Sequence, residues 1–395
     1  MPTIKVPGFK FAGIACGIKK SKKKDLALVF SERPAIAAAL FTTNAIKSPA
    51  VLVGMDRVRR GKVQAVVINS GNANACTGAQ GSRDADAMCQ RTASVLGIAP
   101  TLVIPSSTGI IGVPLPMEKV LGGIGAAASR LSAASFSDAA EAILTTDRFP
   151  KVSSAKCVIG GKTVRIAGMV KGAGMIAPNM ATMLAYILTD AMVDLPCLRH
   201  VLREAADPTF NSVTVDGDMS TNDTVLFLAN GFAQNPPITR GTRDEAILLK
   251  TVRAVMKKLA LHLVSDGEGG TKVVEIRVEG AKTIQDASKI ANSVARSQLV
   301  KTAFYGEDPN FGRILCAVGY AGVRLQPERI DIFFDRVGVV RKGRGLTARE
   351  RKASQVLKRS TFTVKIRLGL GNESKSIWTS DLSHEYVRIN SAYRT

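Results

Sequence analysis

The sequence predicts a mixed α/β protein in which helices cover large β-sheets. Apolar, β-branched runs typical of strands occur at 63–68, 102–104 and 163–169, separated by loops of small residues. The second half of the 395-residue chain combines one long amphipathic segment with strand-like runs at 273–278 and 329–334. Strands and helices therefore alternate along the chain, whereas the order of the strands within a sheet does not follow from these patterns.

The clearest predicted helix covers residues 244–264. Its apolar side chains recur three and four residues apart and so form one stripe: Ile247, Leu248, Val252, Val255, Met256, Leu259 and Leu263. Helices are also predicted near 83–96 and through the alanine-rich residues 123–144. Two of the strands are expected to end in polar loops, the first at 69–78 and the second at 105–109.

The composition is that of a globular protein, with 46% hydrophobic and 22% charged residues. No apolar stretch approaches the roughly 18 to 20 residues that a membrane-spanning helix needs. Residues 1–17 carry Lys5 and Lys10 and lack a continuous apolar segment, so a secretory signal is not predicted. We therefore expect a cytoplasmic protein that does not associate with membranes.

Cysteine and histidine usage argues against metal and disulfide chemistry. The six cysteines are scattered, without a C-x-x-C pair or zinc-finger spacing, which predicts buried free thiols and no metal site. Only three histidines occur, at His200, His262 and His384. This scarcity also weakens a serine–histidine–aspartate mechanism.

The net charge of +22 raises the alternative of a nucleic-acid-binding protein. The charge is spread along the chain, however: residues 1–181 hold 23 basic and 9 acidic side chains, and residues 182–395 hold 31 and 23. The one dense basic run, 19–24, is interpreted as a solvated loop before a strand at 26–30. Aromatic residues make up only 5% and are not interleaved with basic ones. The net charge is therefore the one feature that supports a nucleic-acid-binding function. A steeply salt-dependent affinity for DNA or RNA would be the test of that alternative.

Residues 169–186 are the most informative segment. They are rich in glycine and other small residues before Thr182 and apolar directly after it, which by composition indicates a buried strand after a flexible loop. The pattern K-G-x-G-M-I-x-P-N-M-A-T-M-L-A within this segment resembles the self-cleavage segment of the ornithine acetyltransferase (glutamate N-acetyltransferase) family.

The resemblance extends over nearly the whole chain. Further segments that match the family are 41–44, 72–78, 107–112, 145–147, 214–218, 220–224, 266–269, 306–313 and 386–390. Two positions depart from the family pattern: Met219 stands where threonine is expected, and Phe311 where tryptophan is expected. Both are interpreted as changes in packing.

The resemblance implies an N-terminal-nucleophile-like fold and a self-processing mechanism. The Thr182 hydroxyl would attack the Ala181 carbonyl, dividing the chain into an α chain, 1–181, and a β chain, 182–395. The new α-amine of Thr182, with a reference pKa of about 7.7 to 8.0, could then act as base for its own hydroxyl. No histidine would be required.

The implied reaction moves an acetyl group from N-acetylornithine to glutamate through an acetyl-Thr182 ester. Thr108 and Gly109 match the oxyanion-hole pair of the family. The implied substrate contacts are Thr145, Lys171, Thr182, Glu268, Asn390 and Thr395. Lys171 would neutralise a substrate carboxylate and Glu268 would pair with an ammonium group.

The resemblance also implies small-molecule substrates, no cofactor, no metal and no nucleic acid. The α and β chains are expected to remain together as a heterotetramer of two of each. Whether acetyl-CoA also serves as a donor stays open. A self-processing amidase or aminopeptidase, in which water is the acceptor, is a further alternative. Glu268 and residues 390–395 favour the transferase, because they suit an amino-acid acceptor.

Overall fold

The computed structural model describes residues 4–177 and 183–392. They form two compact units. The first unit contains residues 4–211, apart from the undescribed 178–182, together with 218–263. The second unit contains residues 212–217 and 264–392. This boundary does not coincide with residue 181, and the division into α and β chains stays a prediction.

The described residues contain strands and helices in alternation. The strands are β1 Phe9–Ile14, β2 Leu26–Phe41, β3 Lys62–Asn72, β4 Val103–Ile110, β5 Lys151–Ile159, β6 Lys162–Lys171, β7 Leu184–Thr189, β8 Val213–Thr214, β9 Thr224–Ala229, β10 Val273–Ala281, β11 Asp331–Phe334, β12 Val337–Arg341, β13 Arg344–Gly345, β14 Thr361–Arg367 and β15 Glu373–Ser380. The helices are α1 Pro49–Arg59, α2 Gly78–Leu96, α3 Met117–Ala128, α4 Phe136–Ala142, α5 Leu195–Ala206, α6 Arg243–Ser265, α7 Ile284–Arg296, α8 Gln298–Tyr305, α9 Phe311–Gly319, α10 Glu350–Leu357 and α11 His384–Ala392. Among these helices, none has the length and apolar character needed to cross a membrane.

The sheet of the first unit has the strand order β4-β3-β2-β9-β7-β6-β5, and β1 pairs with β2. Successive side chains of a strand point to opposite faces. Accordingly, Leu26 and Leu28 enter one apolar core, while Ala27 and Val29 enter the other. Helix α6 covers this sheet at Gly168, where an added Cβ would lie 2.7 Å from a methyl carbon of Leu259. The predicted helix 244–264 is thus confirmed, and six of the seven residues of its apolar stripe are buried, while Ile247 is half-buried.

The sheet of the second unit has the strand order β13-β12-β11-β14-β10-β15-β8. Within it, strand β10 runs parallel to β14 and antiparallel to β15. Every second side chain of β10 points into one core, which also contains the buried face of α7. These side chains are Val274, Ile276 and Val278. Phe311, one of the two departures from the family pattern, packs against this core, as the packing interpretation requires.

Several sequence predictions of local structure were wrong at their boundaries. β3 continues to Asn72 and β4 to Ile110, because each extension finds a backbone partner in the other strand. The predicted helical stretch 123–144 is broken between α3 and α4, where Ser132 exchanges two backbone hydrogen bonds of 2.9 Å with Phe11. At the run 329–334, the strand begins at Asp331 after a 3-10 turn. The six cysteines are unpaired as predicted, but only Cys89 and Cys197 are buried, while Cys16 and Cys157 are half-buried and Cys76 and Cys316 are exposed.

Lys301 is a buried cation in the second unit. Its Nζ donates hydrogen bonds to Thr379 Oγ1 (3.0 Å), to Ser380 Oγ (3.2 Å) and to the Ser380 carbonyl. Burial lowers the pKa of Lys301 from 10.5 to about 8, although Asp381 and Asp216 oppose the shift. Because the folded state binds this proton more weakly, the unfolded state carries more protons between pH 8 and 10.5. The penalty for burying the cation is therefore complete below pH 8 and is relieved as the pH rises.

We expect Lys301→Met to remove this pH dependence. The free energy of unfolding of the wild type minus that of the variant should rise by roughly 3 kcal/mol between pH 7 and pH 10.5. Trp378, the one tryptophan of the sequence, lies on β15 beside Thr379, so its fluorescence during urea titrations reports on this unit. Lys282→Met, at an exposed position of the same unit, is the matched control and should give no such rise. Parallel pH profiles for wild type and Lys301→Met would contradict the expectation.

Candidate active site

The predicted oxyanion-hole residues lie near the end of β4, where it pairs with β3 across an irregular register. Gly109 has a φ of +132°, and an added Cβ would lie 2.3 Å from the carbonyl carbon of Gly71. A side chain at this position would therefore both strain the backbone and collide with β3. Thr108 and Gly109 are half-buried at the end of the strand.

Asn222 holds the two segments next to this strand end together. Its buried side-chain amide donates to the carbonyl of Ser107 (2.8 Å) and to that of Ala73 (2.7 Å). Both acceptors are backbone groups of segments that match the family pattern. The sequence placed Asn222 in such a segment but assigned it no role, because its acceptors are distant in the chain. Met219, directly before this segment, is half-buried, and its sulfur accepts from Thr43 Oγ1.

Lys171 connects the oxyanion residues with the predicted cleavage segment. It is the last residue of β6, and its Nζ donates to Thr108 Oγ1 over 3.3 Å. In the β6–β7 pairing Lys171 lies opposite Leu184. The carbonyl of Met183, one residue earlier, accepts from the backbone N–H of Thr224 (3.0 Å). The residue that follows Thr182 therefore lies beside the strand end that carries Lys171.

Thr145 and the residue after Lys171 share one carboxylate. Asp147 accepts from the backbone N–H of Thr145 (2.9 Å), from that of Gly172 (2.7 Å) and from Lys151 Nζ (2.6 Å). The side chains of Asp147 and Lys151 are both fully buried. The structure thus links Thr145 to Lys171 although 26 positions separate them in the chain.

Residues 20–23 are exposed, in agreement with the interpretation of 19–24 as a solvated loop, whereas Lys19 is half-buried and departs from it. The loop folds over the buried carboxylate of Asp25, which accepts the backbone N–H groups of Ile18 (2.7 Å) and Lys19 (2.9 Å). The Lys19 amine then reaches the carbonyl of Leu144, directly before Thr145, at 2.7 Å. Burial lowers the pKa of Lys19 to about 8; Lys171 and Lys23 lower it further, while Asp25 and Asp147 oppose the shift. A second cation therefore lies close to Lys171.

In the second unit, two of the predicted substrate contacts, Glu268 and Asn390, lie in contact with each other. Asn390 Nδ2 donates to Glu268 Oε2 at 2.8 Å and to the carbonyl of Tyr386 at 3.0 Å. Gly269 allows the C-terminal helix to approach, because an added Cβ would lie 2.4 Å from the backbone nitrogen of Tyr386. Ser383 also donates to the Gly269 carbonyl, at 2.6 Å.

The first unit brings together Thr108, Gly109, Thr145 and Lys171, and the second unit joins Glu268 to Asn390. Ala181, Thr182 and Thr395 lie outside the described residues. In the ranges 4–177 and 183–392, no group of three or more His, Cys, Asp or Glu side chains could hold a metal ion. Asp147, Asn222 and Lys19 are the residues to which the sequence assigned no role in the site.

Comparison with known proteins identifies the family. Residues 10–395 match the model of the ArgJ family. The chain belongs to this family. It is 48% identical to the arginine biosynthesis bifunctional protein ArgJ of Geobacter sulfurreducens over 392 residues, which are 99% of this chain and 100% of the relative. It is 49% identical to the protein of that name from Symbiobacterium thermophilum over 390 residues, 98% of this chain and 97% of the relative.

A solved structure supports the same assignment. The crystal structure of the ArgJ protein of Bacillus halodurans matches with 38% identity and a TM-score of 0.51, over 53% of this chain and 98% of that chain. The predicted family and the mixed α/β fold class are therefore confirmed. The chain is an acyltransferase of arginine biosynthesis that acts on small molecules and transfers an acetyl group from N-acetylornithine to glutamate. Among the functions considered from the sequence, membership of this family favours the acetyltransferase over the amidase or aminopeptidase and over the nucleic-acid-binding protein.

Proposed function

We propose that this ArgJ enzyme cuts itself between Ala181 and Thr182 and then carries the acetyl group on the Thr182 hydroxyl. One observation carries the proposal: the strand that follows Thr182 begins beside Lys171, whose amine bonds to Thr108. This convergence of three segments that are distant in the chain supports a nucleophile, an oxyanion hole and a cation at one site.

The proposed oxyanion hole is formed by the Thr108 hydroxyl and the Gly109 N–H. Each half-reaction passes through a tetrahedral intermediate whose negative oxygen needs such donors. The hydrogen bond from Lys171 to Thr108 Oγ1 leaves the hydroxyl proton available for donation, since the oxygen acts as the acceptor. Gly109 adds a backbone donor on a strand end that Asn222 and Gly71 hold in place.

Recognition of a zwitterionic amino acid requires groups of both charges. Lys171 is proposed to neutralise a carboxylate and Thr145 to contribute a hydroxyl. Glu268, oriented by Asn390, is proposed to pair with an ammonium group. Thr182 and the C-terminal Thr395 complete the proposed substrate contacts.

The length of the solved relative supports cleavage. The Bacillus halodurans chain is matched over almost its whole length, yet covers only 53% of this chain. A β chain of residues 182–395 would likewise be just over half of the whole. The proposal includes a heterotetramer of two α and two β chains, a cytoplasmic location and no cofactor, and acetyl-CoA is the alternative donor to be tested.

The experiment that tests the proposal is a denaturing intact-mass measurement after brief exposure to N-acetylornithine. We expect two chains that divide between Ala181 and Thr182, with one acetyl group on the chain that begins at Thr182. Exposure to glutamate should then remove that acetyl group. A folded, uncleaved and unmodified chain would overturn both the cleavage and the covalent route, and repeating the experiment with acetyl-CoA decides whether it also serves as donor.

A further inference from the structure

Asp147 occupies a central position that the proposed reaction does not use directly. Its carboxylate accepts three hydrogen bonds, and two of the donors are backbone N–H groups next to proposed substrate contacts. One is the N–H of Thr145 itself, and the other is that of Gly172, directly after Lys171. The third donor is Lys151, four residues along the chain. One buried side chain therefore fixes the separation of two substrate-binding segments.

The charge of Asp147 is maintained by its surroundings. Burial alone would raise the pKa of this carboxyl group, but the positive charges of Lys151 and Lys171 and the hydrogen bonds from Lys151 and Thr145 hold it well below its usual range. Lys171 thus interacts electrostatically with Asp147 while its amine bonds to Thr108. Lys19, whose amine donates to the carbonyl of Leu144 directly before Thr145, is a further cation of this group.

The choice of partners argues against a purely structural ion pair. A buried pair that served stability alone could be replaced by apolar side chains of similar volume with little loss. Here one oxygen of Asp147, Oδ1, accepts both from Lys151 and from the backbone N–H of Gly172, while Oδ2 accepts from the backbone N–H of Thr145. A shift of about 1 Å in such segments can reduce a rate on the order of 10²-fold.

We propose that Asp147, paired with Lys151, is the positioning residue of the substrate-binding segments at Thr145 and Lys171. It acts through these two residues and does not itself touch the substrate. The inference rests on the proposed function, because it takes Thr145 and Lys171 to be substrate contacts. In this proposal, the buried Asp147–Lys151 pair aligns the substrate carboxylate with the reacting ester.

The test compares Asp147→Asn with the wild type. An amide at this position replaces by an NH2 group either Oδ2, which accepts from Thr145, or Oδ1, which accepts from Gly172 and Lys151, so at least one segment loses its anchor. We expect kcat/KM for N-acetylornithine to fall by roughly 10- to 100-fold, mainly through KM. Asp190→Asn is the matched control: Asp190 is a buried carboxylate of the same unit that pairs with Arg165, and its replacement should leave KM unchanged.

A double-mutant cycle separates positioning from a general loss of structure. If Asp147 acts through Lys171, Asp147→Asn should have much less effect on KM in a Lys171→Met background than in the wild type. Additive effects of the two changes would overturn the proposal. A folded and cleaved Asp147→Asn variant with the KM of the wild type would overturn it as well.

A second variant covers the case in which Asp147→Asn does not fold. Asp147→Asn combined with Lys151→Met leaves no uncompensated buried charge. We expect this variant to fold and to keep the KM defect, whereas an unfolded product would show that the pair is a folding element and overturn the positioning role. Failure of the proposed function is seen separately, because the wild type itself would then form no acetyl-Thr182 ester in the mass measurement.

Discussion

Thr182→Ala should leave the enzyme as a single chain of 41.9 kDa without measurable acetyl transfer. The substitution removes the hydroxyl that is proposed to attack the Ala181 carbonyl and later to carry the acetyl group. Loss of a catalytic nucleophile commonly reduces kcat on the order of 10⁶-fold. The change should be visible by denaturing mass spectrometry and by an assay of ornithine release from N-acetylornithine.

Thr182→Ser is the control for this prediction, because it retains a hydroxyl at the same position. We expect the serine variant to be cleaved at the same peptide bond and to keep part of the activity. The two variants together distinguish the loss of the nucleophile from a disturbance of the neighbouring strand β7. Cleavage of the alanine variant at the same bond would show that Thr182 is not the cleaving group.

The family could be predicted because it depends on short contiguous patterns. The segment from Lys171 to Ala185 can be recognised from the order of its residues, without knowledge of the rest of the chain. Helix α6 was predicted for a similar reason, since its apolar stripe depends only on helical spacing. Gly109 was singled out by the resemblance, and the structure shows why glycine is required at this position, which is the close approach of Gly71.

Predictions failed where a distant segment determines the conformation. Lys19 belongs to a basic run that resembles a solvated loop, yet the carboxylate of Asp25 folds that loop and directs the amine to Leu144. The break in the helical stretch 123–144 comes from the pairing of Ser132 with Phe11, more than 100 residues earlier. Neither contact can be recognised from the neighbouring sequence, because its two partners come close to each other only in the folded protein.

The role of Asp147 illustrates the same limit within a segment that matches the family. Its neighbours Thr145 and Thr146 marked the segment, but only the fold shows that its carboxylate also binds the backbone at Gly172. A signal in the sequence was the lysine four residues later, at 151, which forms the buried ion pair. Spacing of this kind is common in exposed helices, so it could not have identified the site.

Thr108→Val should lower kcat by about 10²- to 10³-fold while KM for N-acetylornithine changes little. Valine has nearly the shape of threonine but lacks the hydroxyl, so the proposed oxyanion loses one of its two donors. The ground-state carbonyl needs this donor less than the tetrahedral intermediate does, and the loss therefore falls on kcat. Steady-state kinetics on cleaved enzyme, with the cleaved fraction measured by mass, tests the expectation.

The hydrogen bond between Lys171 and Thr108 offers a competing explanation that can be tested with two more variants. Thr108→Val also deprives the Lys171 amine of an acceptor, which could displace a substrate-binding cation. In that case the effect would fall on KM and would disappear in a Lys171→Met background. If the hydroxyl stabilises the oxyanion, the loss in kcat should persist in that background, and Thr108→Ser should restore most of it. A kcat unchanged by Thr108→Val would remove this residue from the oxyanion hole and leave the Gly109 N–H as its remaining proposed donor.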